Sequence, residues 1–118
     1  MSKKSIRFFN DREVRAVWDD ENNCWWFSAT DVVRAINDEP DYTKAGNYWR
    51  WLKRKLKQDG VQLVSATHGF KFEAPDGKQR KADVLNSEGV ILLAKHFPNN
   101  RASKFLDWFT YSDNTIDG

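Results

Sequence analysis

The sequence predicts an α+β domain: an N-terminal antiparallel β-meander and a second β-hairpin, packed with helices around one core. Three observations carry this. Short β-type runs separated by polar turns fill the chain up to Phe27. Beyond Ser28 the apolar residues recur at helical spacing. Later, Pro75-Asp76-Gly77 stands between two short runs as the tip of a hairpin. A chain of 118 residues suggests one domain, and 14% aromatic content lets few side chains build its core.

Residues 6–9 and 13–18 read as strands separated by Asn10-Asp11. In the second, Val14, Ala16 and Trp18 alternate with Glu13, Arg15 and Val17, as in a half-buried strand. Asp19 to Asn23 is a turn, and Cys24 to Phe27 is the third strand of the meander. "SATDVVRAI" then enters a helix, with Ser28 or Thr30 as cap, Asp31 near its positive end, and Val32, Val33 and Ile36 as the apolar stripe. Asp38-Glu39-Pro40-Asp41 breaks it, and the connection to the next helix, about Asn37 to Thr43, exceeds the 3–4-residue turn of a strict helix-turn-helix.

The next helix centres on "NYWRWLKRKLKQ", residues 47–58, with two tryptophans, a tyrosine and five cations. At ~100° per residue, Ala45, Tyr48, Trp49, Leu52 and Leu56 share one apolar face. Arg50, Lys53, Arg54 and Lys57 cluster opposite, and Trp51 falls off the stripe beside Asn47 and Arg54. Trp49 is therefore a core residue and Trp51 is not. Gly60 ends the helix as a left-handed residue.

Val61 to Val64 reads as a strand, and "GFKFEAPDGKQRKADVL" as the second hairpin. A two-residue Asp-Gly loop would mix its faces. A three-residue loop with Gly77 left-handed pairs Phe72 with Arg80 and Phe70 with Ala82, and keeps one face largely apolar. The same register sets Lys71 across from Lys81, a like-charge pair that an anion would relieve. Asn86 or Ser87 caps a third helix carrying Val90, Ile91, Leu93, Ala94 and Phe97. Arg101 to Tyr111 forms the last, with Phe105, Leu106, Trp108 and Phe109 inward. The domain is read as residues 1–111, with 112–118 a polar tail that starts a linker to a further segment.

The charge is unevenly spread. Lys44 to Lys81 holds ten Lys/Arg against three acids, a net +7, while the remainder holds nine against fourteen, a net −5. Such polarity suits a polyanion on one side of a chain whose total is only +2. Cys24, the single cysteine, forms no internal disulfide and points to a reducing compartment. Without an apolar run behind the N-terminal Met-Ser-Lys-Lys-Ser, or a ~20-residue apolar span, a soluble cytoplasmic protein with no membrane partner is expected.

Catalytic signatures are missing. Cys24, His68 and His96 have no metal-ligand spacing, and no glycine-rich phosphate loop occurs, so neither metal nor cofactor is expected. Pro75-Asp76 opens like a nuclease metal site, but Asp83, Glu88 and Asp107 are followed two residues later by Leu85, Val90 and Phe109 rather than lysine. A non-enzymatic role is expected.

The order "REVRAVWDDENNCWWFSATDVVRAI" resembles the opening of the Bro-N domain of baculovirus repeated ORF proteins and phage antirepressors. "YWRWLKRKLKQDGVQLV", "APDGKQRKADV" and "NSEGVILLAKHFP" resemble the branch containing DNA-damage-inducible protein D, and the likeness spans about residues 6–111. The resemblance implies an α+β domain of phages and mobile elements, associated with DNA binding, transcription regulation or the DNA-damage response. It also implies a protein-interaction alternative, with a repressor or repair protein as partner. It transfers no contact residues. Those come from the charge pattern: Asn47, Arg50, Trp51, Lys53, Arg54 and Lys57 on the helix, and Lys71, Lys78, Arg80 and Lys81 on the hairpin, as a surface for double- or single-stranded DNA. A homodimer is compatible with this reading. Acidic turns at Asp19-Asp20-Glu21 and Asp38-Glu39-Pro40-Asp41 are the surface a basic protein partner would use.

Overall fold

Asn10 and Asp11 both take left-handed backbone, with φ of 54° and 61°, and so make the two-residue turn that matches strand twist. In the computed structural model, which describes residues 4–61, 65–66, 71–73, 77–98 and 100–115, this turn joins β1 (Lys4–Phe9) to β2 (Arg12–Asp19). The Asn10 side-chain amide donates to the Ala35 carbonyl at 3.2 Å and ties the turn to the helical layer. β3 (Cys24–Ser28) pairs antiparallel with β2 and completes the expected meander. The turn before it is organised by Asp19, whose carboxylate accepts from the Asn22 side chain and the Trp26 indole. Those two bonds, in that order, lower its pKa to about 2.

The meander is part of a larger sheet. β7 (Val84–Leu85) pairs with β3, and β4 (Ser65–Ala66) pairs with β7, giving the antiparallel order β1-β2-β3-β7-β4. β5 (Lys71–Glu73) and β6 (Gln79–Lys81) form a separate two-stranded sheet. The register derived from a left-handed Gly77 is present: Lys71 opposes Lys81, Phe72 opposes Arg80, and Gly77 has φ 84°. The expected partner of Ala82, Phe70, lies outside the described residues. One expectation is corrected here. Val84 and Leu85 do not extend the hairpin; the chain changes sheets after β6, because two adjacent apolar residues there bury one on each face of the main sheet.

Among the described residues, four helices pack on one face of that sheet. α1 (Ala29–Asn37) starts at Ser28, not Thr30, with the Ser28 hydroxyl accepting from the Asp31 amide. It ends where Asp38 turns left-handed at φ 50°, and the Asp38 and Glu39 amides donate to the Ala35 and Arg34 carbonyls. α2 (Tyr42–Gln58) begins earlier than expected, because Asp41 caps it by accepting from the amides of Thr43 and Lys44. The connection is therefore the four residues Asp38 to Asp41, shorter than the sequence suggested. Gly60, at φ 80°, closes α2 as expected, and the Gly60 and Val61 amides donate to the Lys57 and Leu56 carbonyls. Val61 thus belongs to this helix ending and does not begin a strand; residues 62–64 lie outside the described residues. α3 (Ser87–Lys95) is capped by Asn86. α4 (Ala102–Thr115) runs four residues past Tyr111, into the stretch expected as tail, where no glycine or proline stops it.

The principal core lies between sheet and helices. Val14, Ala16, Phe27 and Leu85 from the strands meet Ile36, Trp49, Leu52, Leu93, Phe105 and Phe109, among others. Phe9 stacks edge-on to Phe105 at 5.3 Å, and Phe27 to Phe109 at 5.0 Å. The opposite sheet face carries a second, smaller cluster of Val17, Trp26, Phe72 and Val84. The hairpin supplies its Phe72. β2 is consequently buried on both faces, rather than the one that its alternation suggested, because that hairpin covers Val17.

Candidate nucleic-acid interface

Asp83 positions the basic helix. It lies two residues after β6, and its carbonyl accepts the first amide of α1, from Ala29, at 3.1 Å. Its carboxylate accepts from the Trp49 indole at 2.9 Å and the Lys53 ammonium at 3.0 Å. One side chain therefore fixes α2 beside the end of the hairpin. Lys53, expected as a free surface cation, is partly committed to this contact.

Arg15 positions the hairpin. Its guanidinium lies 5.1 Å from the Phe72 ring and 5.7 Å from the Tyr42 ring. It pairs with the buried Asp31 carboxylate at 2.7 and 3.0 Å, and the Arg15 amide donates to the same carboxylate at 3.0 Å. Burial opposes the guanidinium charge, but the bonds and charge of Asp31 outweigh it and hold the Arg15 pKa above its ordinary value. Burial, then the charge of Asp31, raises the Tyr42 phenol above its usual range. Neither Arg15 nor Asp31 stood out in the sequence as a pair. The signal that could have found them is an acid in a first helical turn opposite a lone cation on a buried strand.

Between α2 and β6 runs a groove of about 620 Å³. Thr43, Gly46 and Arg50 line it on the helix side, and Arg80 and Lys81 on the hairpin side. A Cβ added at Gly46 would meet only the Arg50 and Thr30 side chains, at 3.9 and 4.0 Å, so a larger side chain there would occupy the groove itself. Sequence reasoning missed Thr43 and Gly46, which carry no charge and whose place depends on the hairpin's position.

The predicted surface divides in two. Arg50, Arg80 and Lys81 share the groove. Arg54 and Lys57 are exposed further along α2, and Lys78 is exposed near the hairpin tip. Lys71 stands opposite Lys81 in the backbone register. Trp51 points elsewhere. It is 44% exposed, as an off-stripe residue should be, but its ring lies edge-on to Tyr48 at 5.4 Å, and Tyr48 stacks on Phe97 at 5.8 Å. It follows Arg50 by ~100° of helical turn and is not among the groove residues. Asn47, on the same flank, accepts a hydrogen bond from Arg50. Among the described residues no group of three or more His, Cys, Asp or Glu could hold a metal ion, and no helix is long and apolar enough to cross a membrane.

The model of the BRO family, N-terminal domain, matches residues 13–115. This chain belongs to the BRO family. The match takes in α2, both strands of the hairpin and the groove between them, so the candidate interface lies wholly within the Bro-N domain. Comparison with curated proteins and with solved structures gives no match.

Lys81 gives a local test of the hairpin contact. Lys81→Gln removes one of the two lysines that the backbone register of β5 and β6 sets at opposing positions. The variant is expected to melt at the same temperature as the parent or slightly above it, while its affinity for DNA falls. A clear drop in melting temperature would mean that Lys81 supports the hairpin instead of a ligand.

Proposed function

We propose that this Bro-N domain binds DNA through the groove between α2 and β6, as a non-enzymatic module of a phage- or mobile-element-related BRO or antirepressor-like protein. The observation that carries the reading is the convergence of Arg50 with Arg80 and Lys81 on one groove, from segments thirty residues apart. Arg54 and Lys57 extend the positive surface along the helix. Cations so placed neutralise backbone phosphates and release condensed counterions. Within the family we place the chain in the branch resembling DNA-damage-inducible protein D, and its role in transcription regulation or the DNA-damage response.

The alternative is a protein-interaction module acting on a repressor or repair protein. Its expected acidic surface is largely engaged in local structure. Asp19 and Asp20 accept from the Trp26 and Trp18 indoles, Asp38 pairs with Arg12 at 3.0 Å, and Asp41 caps α2. These contacts favour the DNA reading.

A titration against labelled single- and double-stranded DNA at several salt concentrations tests it. Affinity should fall steeply with salt, and Arg50→Ala with Arg54→Ala should lower the log–log slope by about 2, one unit per lost phosphate contact. Arg50→Glu with Arg54→Glu should abolish binding at unchanged melting temperature, since both side chains are exposed. Salt-independent binding, or binding that survives the double reversal, would remove the groove from the model.

A further inference from the structure

We propose that β1 is a self-association strand: two copies of the chain pair antiparallel through β1, about a two-fold axis at Ile6, and join their sheets edge to edge. β1 is one end of the five-stranded sheet. Lys4–Phe9 has no proline and its register with β2 is continuous, without a bulge, so its edge protections are the charges of Lys4 at its start and Arg7 on the helix-side face. The opposite edge, β4, is only two residues long.

The backbone shows which polar groups are open. In an antiparallel pair, opposing residues alternate between exchanging both hydrogen bonds and pointing both away from each other. The two-residue turn at Asn10-Asp11 makes Phe9 and Arg12 a bonded pair. Counting back, Arg7 with Val14 is bonded, while Ile6 with Arg15 is not. The Arg15 amide confirms this count independently, because it donates to Asp31 at 3.0 Å and is turned away from β1. The amides and carbonyls of Lys4, Ile6 and Phe8 therefore point out of the sheet edge. The same alternation puts the side chains of Ile6 and Phe8 on one face, 55% and 58% exposed. Apolar side chains and open backbone groups thus coincide on the same residues.

That coincidence selects a second copy and one register. With Ile6 opposite Ile6 of the second copy, all three open residues meet: Lys4 faces Phe8 of the other chain, and Phe8 faces its Lys4. Each lysine stem and ammonium then lies over a phenyl ring, in the same cross-strand row as Glu13, the partner of Phe8 within each chain. Ser5 faces Arg7. Shifting the axis to Arg7 would oppose two arginines and leave Lys4 without a partner. Slipping the register by one residue, with Ile6 opposite Arg7, would pair residues of opposite faces. The inference does not depend on DNA binding.

The test is sedimentation equilibrium of the 118-residue chain from micromolar to millimolar concentration, with a reductant present so that Cys24 cannot cross-link copies. The mass should rise toward twice that of the chain. Ile6→Pro removes an outward amide and no bond to β2, and edge positions tolerate proline; it should abolish the rise at unchanged circular dichroism. Should that variant fail to fold, amide exchange of the unaltered chain decides. The Ile6 and Phe8 amides should gain protection with concentration, while the already bonded Arg7 amide should not. A monomer at every concentration would overturn the proposal, as would a dimer that survives Ile6→Pro or one without concentration-dependent protection at Ile6 and Phe8.

Discussion

Trp49→Ala should cost about 3–5 kcal/mol, a large part of the stability of a domain of this size. Trp49 is 3% exposed and packs in the principal core with Leu52 and Leu56. Truncation empties that volume, and it also removes the indole donor from Asp83. Asp83 would keep Lys53 but lose the contact that sets the depth of α2 against the chain after β6. Urea denaturation followed by circular dichroism measures the loss. Trp51→Ala is the matched control, two residues away. Its ring is 44% exposed and touches Tyr48 edge-on, so the midpoint should barely move. With Trp51 outside the groove, a fall in single-stranded DNA affinity of about 1–3 kcal/mol would add a stacked base to the proposed surface. A Trp51→Ala variant as unstable as Trp49→Ala would show that both rings serve the core, leaving the cations alone to support DNA binding.

The second large effect concerns the charge buried beneath the hairpin. Asp31→Ala should destabilise the domain by about 3–5 kcal/mol, because it strips Arg15 of its counter-charge in a largely dry site. The side chains are 15% and 3% exposed, so little solvent can substitute for the carboxylate. The Arg15 amide would lose its acceptor as well. Arg15→Met together with Asp31→Ala should lose less than Asp31→Ala alone, since the long apolar side chain keeps contact with Phe72 and leaves no charge behind. A double-mutant cycle by chemical denaturation gives the coupling. Additive effects of the two substitutions would mean that the pair contributes nothing as a pair.

Features set by local chemistry were legible in the sequence. The cap of α1 was narrowed to Ser28 or Thr30, Gly60 closes α2, and Gly77 sets the hairpin register, each because few residue types satisfy a backbone demand within four positions. The separation of Trp49 from Trp51 was legible for the same reason, since helical periodicity alone decides it. What could not be read is what the chain brings together from afar. The carboxylates of Asp31 and Asp83 find Arg15, Trp49 and Lys53 across 16, 34 and 30 residues, and no periodicity marks such partners. β7 was hidden because two residues are too few to show an alternation. In the candidate site, the cations were visible as a composition, whereas their convergence on one groove depended on where Asp83 and Phe72 hold the two elements.

The sheet order also has a consequence for how the domain is made. β1, β2 and β3 are joined by short turns and can zip as soon as they leave the ribosome, whereas Phe27 in β3 must wait for Leu85, 58 residues later. Contacts of that separation form slowly, since a long loop must close before they reward it. Until then the far side of β3 stays an open edge, and Trp26 lacks Val84 from its cluster. A nascent chain stalled before β7 should therefore hold a formed meander with unprotected β3 amides. Emergence of Val84 and Leu85 is the event that shuts that edge and turns a local hairpin array into a cooperative fold.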